Sequence, residues 1–344
     1  MDVKQIVFTQ KDTALLLDRE VDEPGDDQIL VKTYFSTISC GTEKANITGN
    51  PNVSGAGAPS VKFPRHGGYS SSGYVVKKGA NVTDVEVGDR VIVSWGHHKT
   101  YNLSTPAYVT KIESDKISLE EAALMHIGTF PMAAIRKTRL EIGESVLVMG
   151  LGILGLMAVQ FARVAGAAPI IAADPVKERR ELALKYGADY ALDPLEPDFA
   201  KKVKELTNGG AKVCIEVTGL GAGLDTALDC MARFGRVALL GCTRSSDFTI
   251  DYYRKVHSPG ITLIGAHTMA RPSQESHPGW FTLKDDLKAI MKLCEYGRVD
   301  LKQMIIETHS PEECTEIYTR LVNDRNFPTV VQFDWTKLEG ESGI

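Results

Sequence analysis

The sequence predicts an α/β protein in which a doubly wound parallel sheet follows a β-rich domain. Three observations predict it. Over residues 141–270 short apolar strands alternate with helical stretches; one of these strands runs into glycines at G-x-G-x-x-G spacing; and residues 1–120 read instead as short β runs cut by Gly, Pro, Asn and Asp. With 344 residues, 43% of them hydrophobic and 24% charged, the chain can bury two cores without help from disulfides or metals.

In the first region the strand-like runs are Ile29 to Phe35, Gly73 to Val76 and Arg90 to Val93. A helical segment from Leu119 to Arg139 leads to Val146-Leu-Val-Met149, a continuous apolar run of the kind a parallel sheet buries on both faces. Val146 to Ala162 carries no charge, but Gly150, Gly152 and Gly155 divide it into strand, tight turn and a helix from Leu154 to Ala165, which argues against a membrane span. Ile170 to Ala173 is the next strand, ending at Asp174; Lys177 to Tyr186 is the next helix, with Leu182 and Ala183 on one side and Gly187 as its stop. The alternation continues through strand Tyr190 to Leu192, helix Phe199 to Thr207, strand Val213 to Val217, helix Leu224 to Arg233, and strands Arg236 to Leu240 and Ile261 to Ile264. A helix from Leu283 to Glu295 and the tail after it return to the first domain. The domain bounds are therefore 1–140, completed by 271–344, and 141–270, with chemistry expected in the cleft between them.

The glycine turn gains its meaning from context. Gly150-Leu-Gly-Ile-Leu-Gly155 follows a strand and opens a helix, and Asp174 stands 19 residues past the last glycine, at the end of the next strand. Gly150 permits the turn, Gly152 lets the backbone approach a pyrophosphate, and Gly155 lets helix and strand pack closely. The helix start at Ile153 and Leu154 offers N–H groups and a positive dipole end to phosphates. Asp174 would accept hydrogen bonds from the adenosine ribose and repel a 2′-phosphate, which favours NAD over NADP despite the nearby Lys177, Arg179 and Arg180.

Charge and cysteine usage narrow the partners. Lys and Arg number 39 against 44 Asp and Glu, a formal charge of −5, which offers no basic field to nucleic acid or an anionic membrane and leaves a small molecule as the expected partner. Cys40, Cys214, Cys230, Cys242, Cys294 and Cys314 contain no C-x-x-C pair, which suits a reducing compartment. Met1-Asp-Val-Lys-Gln does not resemble a secretory signal, so a cytoplasmic location is expected.

The whole chain resembles the medium-chain dehydrogenase/reductase superfamily, in particular its zinc-type alcohol and polyol dehydrogenases. The family motif I-C-G-T-D appears as Ile38-Ser-Cys-Gly-Thr-Glu43, G-H-E-x-x-G-x-V lines up with Gly68-Tyr-Ser-Ser-Ser-Gly-Tyr-Val75, and V-G-D-R-V is intact at Val87-Gly-Asp-Arg-Val91. The resemblance implies a chaperonin-10-like β domain beside a Rossmann nucleotide domain, hydride transfer, and a homodimer or homotetramer joined through edge strands at Arg236 to Leu240 or Ile261 to Ile264.

It also implies a zinc site that this sequence keeps only in part. Cys40 matches the first ligand; the motif His is replaced by Tyr69 and the Glu beside it by Ser70; His126 takes the inter-domain ligand position. A catalytic zinc needs three protein ligands and an open position. Either Cys40 and His126 recruit His66, His97 or His98 into a rearranged site, or the site works without metal. The family's structural zinc has no counterpart, because no cysteine lies between Cys40 and Cys214. Thr42 matches the family's proton-relaying hydroxyl. Without metal, a group must donate or take the substrate's proton, and the candidates are Tyr69, His126, His98, His97 and Lys99, with His126 and His98 preferred because histidine titrates near neutral pH. Tyr69, Trp95, the His97-His98 pair and Trp280 would form a polar-aromatic pocket for a polyol or sugar face, and His267 and Arg271 would meet substrate or a neighbouring subunit.

The leading expectation is an NAD-dependent oxidoreductase that interconverts a secondary alcohol (a polyol, cyclitol or sugar derivative) and its ketone. Two alternatives stand beside it. One is a zinc-free reductase of enones or quinones from the same superfamily; the other is a non-catalytic protein that binds NAD.

Overall fold

The computed structural model describes residues 1–50, 61–244 and 248–338. The described residues form two compact units, one of residues 1–50, 61–127 and 287–338, the other of residues 128–244 and 248–286.

The first unit is built mainly of strands: β1 (Asp2–Gln10), β2 (Thr13–Glu20), β3 (Ile29–Ile38), then the short helix α1 (Cys40–Ile47), then β4 (Arg65–His66), β5 (Ser70–Lys78), β6 (Arg90–Ser94), β7 (Tyr101–Ser104) and β8 (Val109–Lys111). Helix α2 (Leu119–Thr138) begins in this unit and ends in the other. Its first turns are anchored by side chains from the strands: Thr37 Oγ1 and Ser70 Oγ both donate to the Ala123 carbonyl, at 2.9 and 2.6 Å, and Gln332 Nε2 donates to the Glu120 carbonyl at 2.8 Å. Such bonds set the rotation of α2, and with it the direction of His126.

In the second unit come β9 (Val146–Met149), α3 (Ile153–Val164), β10 (Ile170–Ala173), α4 (Lys177–Lys185), β11 (Tyr190–Leu192), α5 (Phe199–Leu206), β12 (Ala211–Glu216), α6 (Gly221–Asp229), β13 (Met231–Leu239) and β14 (Thr262–Gly265). These six strands pair in parallel in the order β11-β10-β9-β12-β13-β14, which is the Rossmann arrangement with the order reversing beside β9. The inner strands β9, β10 and β12 are buried because helices cover them; Leu147, Met149, Ile171, Phe199, Val203 and Cys214 share one core. Helix α7 (Leu283–Glu295) begins here, and β15 (Glu307–His309), α8 (Cys314–Asn323) and β16 (Val331–Asp334) complete the first unit, β16 pairing antiparallel with β3.

Two local expectations are corrected. The helix expected to reach Arg233 stops at Asp229, and β13 starts at Met231. Met231 pairs with Ala211 and Arg236 with Val213, so the residues between bulge out of the ladder, and Phe234 takes a φ of +61°. Sheet pairing overrides the helical pattern there. Of the two strands proposed as a sheet edge, β13 lies inside the sheet and only β14 is at its margin. Among the described residues, no helix is long and apolar enough to cross a membrane.

Candidate active site

In the second unit the three glycines behave as three different devices. Gly150 has a φ of +94°, a left-handed backbone that favours glycine. A Cβ on Gly155 would stand 1.9 Å from the Gly150 carbonyl oxygen, so only glycine lets α3 start this close to the turn. A Cβ on Gly152 would meet nothing within 4 Å, which leaves the main chain of that residue open to approach. The helix begins at Ile153, with Gly152 as its N-cap and no side chain capping it.

Asp174 follows β10 and is 4% exposed. Its Oδ2 accepts the Leu151 N–H and its Oδ1 the Val176 N–H, each at 2.8 Å, so the carboxylate ties the glycine turn to the start of α4. Arg179 lies 3.7 Å from it, and Arg180 donates to the Asp174 carbonyl at 2.7 Å. A carboxylate has about four acceptor positions, so two remain for a further donor.

In the first unit, Cys40, Thr42, Tyr69 and His126 are brought toward one place, and Trp95 joins them. The Tyr69 ring packs 5.6 Å from Trp95 and 5.8 Å from His126, and Trp95 lies edge-on to His126 at 4.9 Å. His126 is fully buried on α2, whereas Trp95 is 37% exposed and held at a φ of +62°. A bulky residue in that region carries strain, which the packing of the Trp95 ring against Tyr69 and His126 holds in place. The Tyr69 hydroxyl donates to Ser39 Oγ and is also hydrogen-bonded to Thr42. Burial raises the Tyr69 phenol well above its usual range, so it keeps its proton.

The thiol of Cys40 faces main-chain oxygens, with Pro328 O at 3.6 Å and Thr329 O at 3.8 Å, the surroundings of an S–H donor. Among the described residues, no group of three or more His, Cys, Asp or Glu side chains is placed to hold a metal ion. A thiol against carbonyls, a phenol that keeps its proton and one imidazole do not make the three-ligand set that a catalytic zinc requires.

His98 is placed elsewhere than the sequence suggested. It is fully buried, with Nδ1 2.7 Å from Ser36 Oγ and Nε2 3.1 Å from Glu43, and cannot meet a substrate. Its neighbour His97 turns the other way, its ring 5.2 Å from that of His66, whose Nδ1 is bonded to Gln5 Nε2. Burial lowers His97 to about 4 and also lowers half-buried Lys99. Trp280 belongs to the second unit, where its ring lies under Lys137 Nζ at 4.6 Å. Arg271 spends its guanidinium on the Thr268 and Thr129 carbonyls and on Asp286, and His267 accepts the Met269 N–H. Ser39, Glu43 and Tyr318 were not singled out by sequence, although Glu43 occupies the acidic end of the first motif.

Comparison with known proteins follows the same division. Residues 25–131 match the model of the alcohol dehydrogenase GroES-like domain, and residues 154–279 that of the zinc-binding dehydrogenase. The chain is 30% identical over 330 residues to the sorbitol dehydrogenase of Bacillus subtilis, covering 87% of this chain and 88% of that one. It is 28% identical over 320 residues to the L-threonine 3-dehydrogenase of Pyrococcus horikoshii, with 85% and 87% covered. The solved structure of benzyl alcohol dehydrogenase from Acinetobacter calcoaceticus has the same fold, with a TM-score of 0.83 at 22% identity over 97% of this chain and 99% of that one.

Proposed function

The chain belongs to the zinc-type medium-chain alcohol dehydrogenase-like superfamily and is an oxidoreductase of that type, and from this premise we propose that it interconverts a secondary alcohol of polyol, cyclitol or sugar type and its ketone, using NAD and no catalytic zinc. The observation that carries the proposal is the Tyr69 hydroxyl, bonded to Ser39 and Thr42, where the family motif has a metal-binding histidine.

NAD supplies the hydride acceptor, and NADH the hydride donor. The protein's own residues do the rest. The main chain at Gly152 and the start of α3 would receive the pyrophosphate, and the two remaining acceptor positions of Asp174 would suit ribose hydroxyls. In ketone reduction the oxygen gains negative charge as hydride arrives. Tyr69, which keeps its proton at neutral pH, would turn its O–H from Ser39 to the substrate oxygen and deliver the proton, Ser39 and Thr42 then donating to the phenolate until it regains a proton from solvent. Oxidation runs the same proton back. The exposed Trp95 ring offers an apolar face to a sugar or polyol, and His126 behind it fixes the tilt of both rings. Thr42 as partner of Tyr69, with Asp174 at the ribose position, supports this reading over an enone reductase. The edge strand β14, with Leu263 39% exposed, supports pairing of two copies into a homodimer, and cysteines without disulfides suit a cytoplasmic location.

The test is turnover of sorbitol, myo-inositol and L-threonine with NAD and with NADP, by protein whose metal content has been measured, before and after chelation. NAD-linked turnover that survives chelation is the expected result, together with a loss of about 10³-fold in kcat for Tyr69→Phe. Turnover that tracks one bound zinc per chain would overturn the metal-free mechanism. Tight NADH binding without turnover on this panel would favour the non-catalytic reading.

A further inference from the structure

Behind Tyr69 lies a polar group that the mechanism above does not use. Glu43, on α1, is 1% exposed, yet its carboxyl group is fully engaged. Oε1 accepts the Ser39 N–H at 2.9 Å, Oε2 accepts the Tyr318 hydroxyl, and both oxygens lie 3.1–3.2 Å from His98 Nε2. With Ser39 and Tyr318 donating, the carboxyl is the acceptor and His98 Nε2 the donor. On the far side of the imidazole, Nδ1 meets Ser36 Oγ, which also accepts Trp335 Nε1 at 2.8 Å.

This pair reaches Tyr69 by two routes. Through Ser39, Glu43 fixes the main chain of the residue whose hydroxyl accepts the Tyr69 hydrogen bond. Ser39 is the N-cap of α1, but its side chain makes no capping bond and is left to the phenol. Through the backbone, His98 N–H donates to the Gly67 carbonyl at 3.1 Å and Trp95 N–H to the Tyr69 carbonyl at 2.8 Å, so the 95–98 loop grips the chain on both sides of Gly68. The two glycines make room for this. A Cβ on Gly67 would stand 3.1 Å from Glu43 Oε2, and one on Gly68 would stand 2.6 Å from the His98 nitrogen.

A buried ionisable pair is a weak source of stability, since an apolar pair of the same volume is often as good or better. We infer that the Glu43–His98 pair, braced by Tyr318 and Ser36, is a positioning unit that holds Ser39 and Tyr69 in register for proton delivery to the substrate oxygen. It does not touch the substrate. The inference rests on the reading of Tyr69 as the proton donor.

The experiment compares Glu43→Gln, Tyr318→Phe, Tyr69→Phe and the double variant Glu43→Gln/Tyr69→Phe in the full-length protein. Three quantities are read: kcat and KM for the panel compound turned over fastest, NADH affinity by fluorescence, and the NMR resonance of tyrosine labelled with ¹³C at Cζ. The Tyr69 signal is identified by its loss in Tyr69→Phe. Glu43→Gln is expected to lower kcat about 100-fold, the effect of a misplacement near 1 Å, with KM and NADH affinity nearly unchanged and the Tyr69 resonance shifted. In the Tyr69→Phe background the same change is expected to cost nothing further, because the two residues act as one unit. Tyr318→Phe, which keeps the ring and removes one hydroxyl, is expected to give the same pattern more weakly and serves if Glu43→Gln does not fold. Losses that multiply in the double variant, or an unmoved Tyr69 resonance, would overturn the inference. Full activity in Tyr69→Phe would remove the proton-donor reading and the inference with it. Loss of activity in Tyr69→Phe with none in Glu43→Gln or Tyr318→Phe would remove the inference alone. The resonance decides the matter if no panel compound is turned over.

Discussion

The glycine turn of the second unit and the Tyr69 cluster of the first both descend from recognisable motifs, but they store their function in different places. At the turn, the proposed function lies in the backbone: an open approach at Gly152, a left-handed φ at Gly150, and a contact at Gly155 that only glycine permits. At the cluster it lies in side chains from α1, β3, the Gly67-Gly68-Tyr69 segment, the 95–98 loop, α2 and α8. A backbone device allows little substitution. A side-chain device can be rebuilt position by position while the fold stays the same, which explains how Tyr69 and His126 stand where the family has other residues.

The largest expected effect separates the two kinds of glycine. Gly155→Ala forces a methyl group against the Gly150 carbonyl oxygen at 1.9 Å and is expected to destabilise the protein by about 3 kcal/mol. Gly152→Ala puts the same methyl group into open space, so the fold should keep its stability while NADH affinity falls. Urea unfolding and NADH titration of the two variants check this. Equal destabilisation by both would mean that Gly152 is structural and that its openness has no bearing on the cofactor.

Next in size is Asp174→Ala. The carboxylate accepts two main-chain N–H bonds in the protein and is proposed to accept ribose hydroxyls as well. Losing a bond to a charged acceptor costs about 2 kcal/mol, so NADH affinity should fall about 30-fold. NADPH should bind better than before, because Arg179 and Arg180 remain beside the site without a carboxylate to repel the phosphate. Calorimetric titration with each nucleotide measures both changes, and unchanged NADH affinity would remove Asp174 from the cofactor site.

These contrasts explain what the sequence could reveal. The strands Val146–Met149, Ile170–Ala173 and Tyr190–Leu192 and the helix Leu283–Glu295 stand where their local pattern put them, because apolar runs between turn residues are local signals. The glycine spacing is local too. The end of α6 was misjudged because the pairing of β13 with β12 is not local. The Tyr69 cluster was legible only as a set of substituted motif positions. Tyr318 is 275 residues from Glu43, and no periodicity connects them. Nor does sequence tell which of two adjacent histidines faces inward: His98 is enclosed and His97 is not.

That split between neighbours gives the smallest expected effect. His97 is half-buried beside His66, Lys99 and His98, and burial lowers it to about 4, so the folded protein holds it neutral while the unfolded chain protonates it below about 6.5. Between those two values the unfolded state binds more protons, and stability must fall as pH falls through that window. The full shift is discounted because the ring is partly exposed to solvent, which leaves about 1 kcal/mol at pH 4. His97→Asn removes the titration but keeps a polar side chain, so the variant should lose less stability than the parent between pH 6.5 and 4, by that amount. Urea midpoints at the two pH values, with an unchanged denaturant slope, supply the comparison. Parallel losses in parent and variant would move the acid sensitivity to other groups and leave His97 as a wall of the loop that carries Trp95.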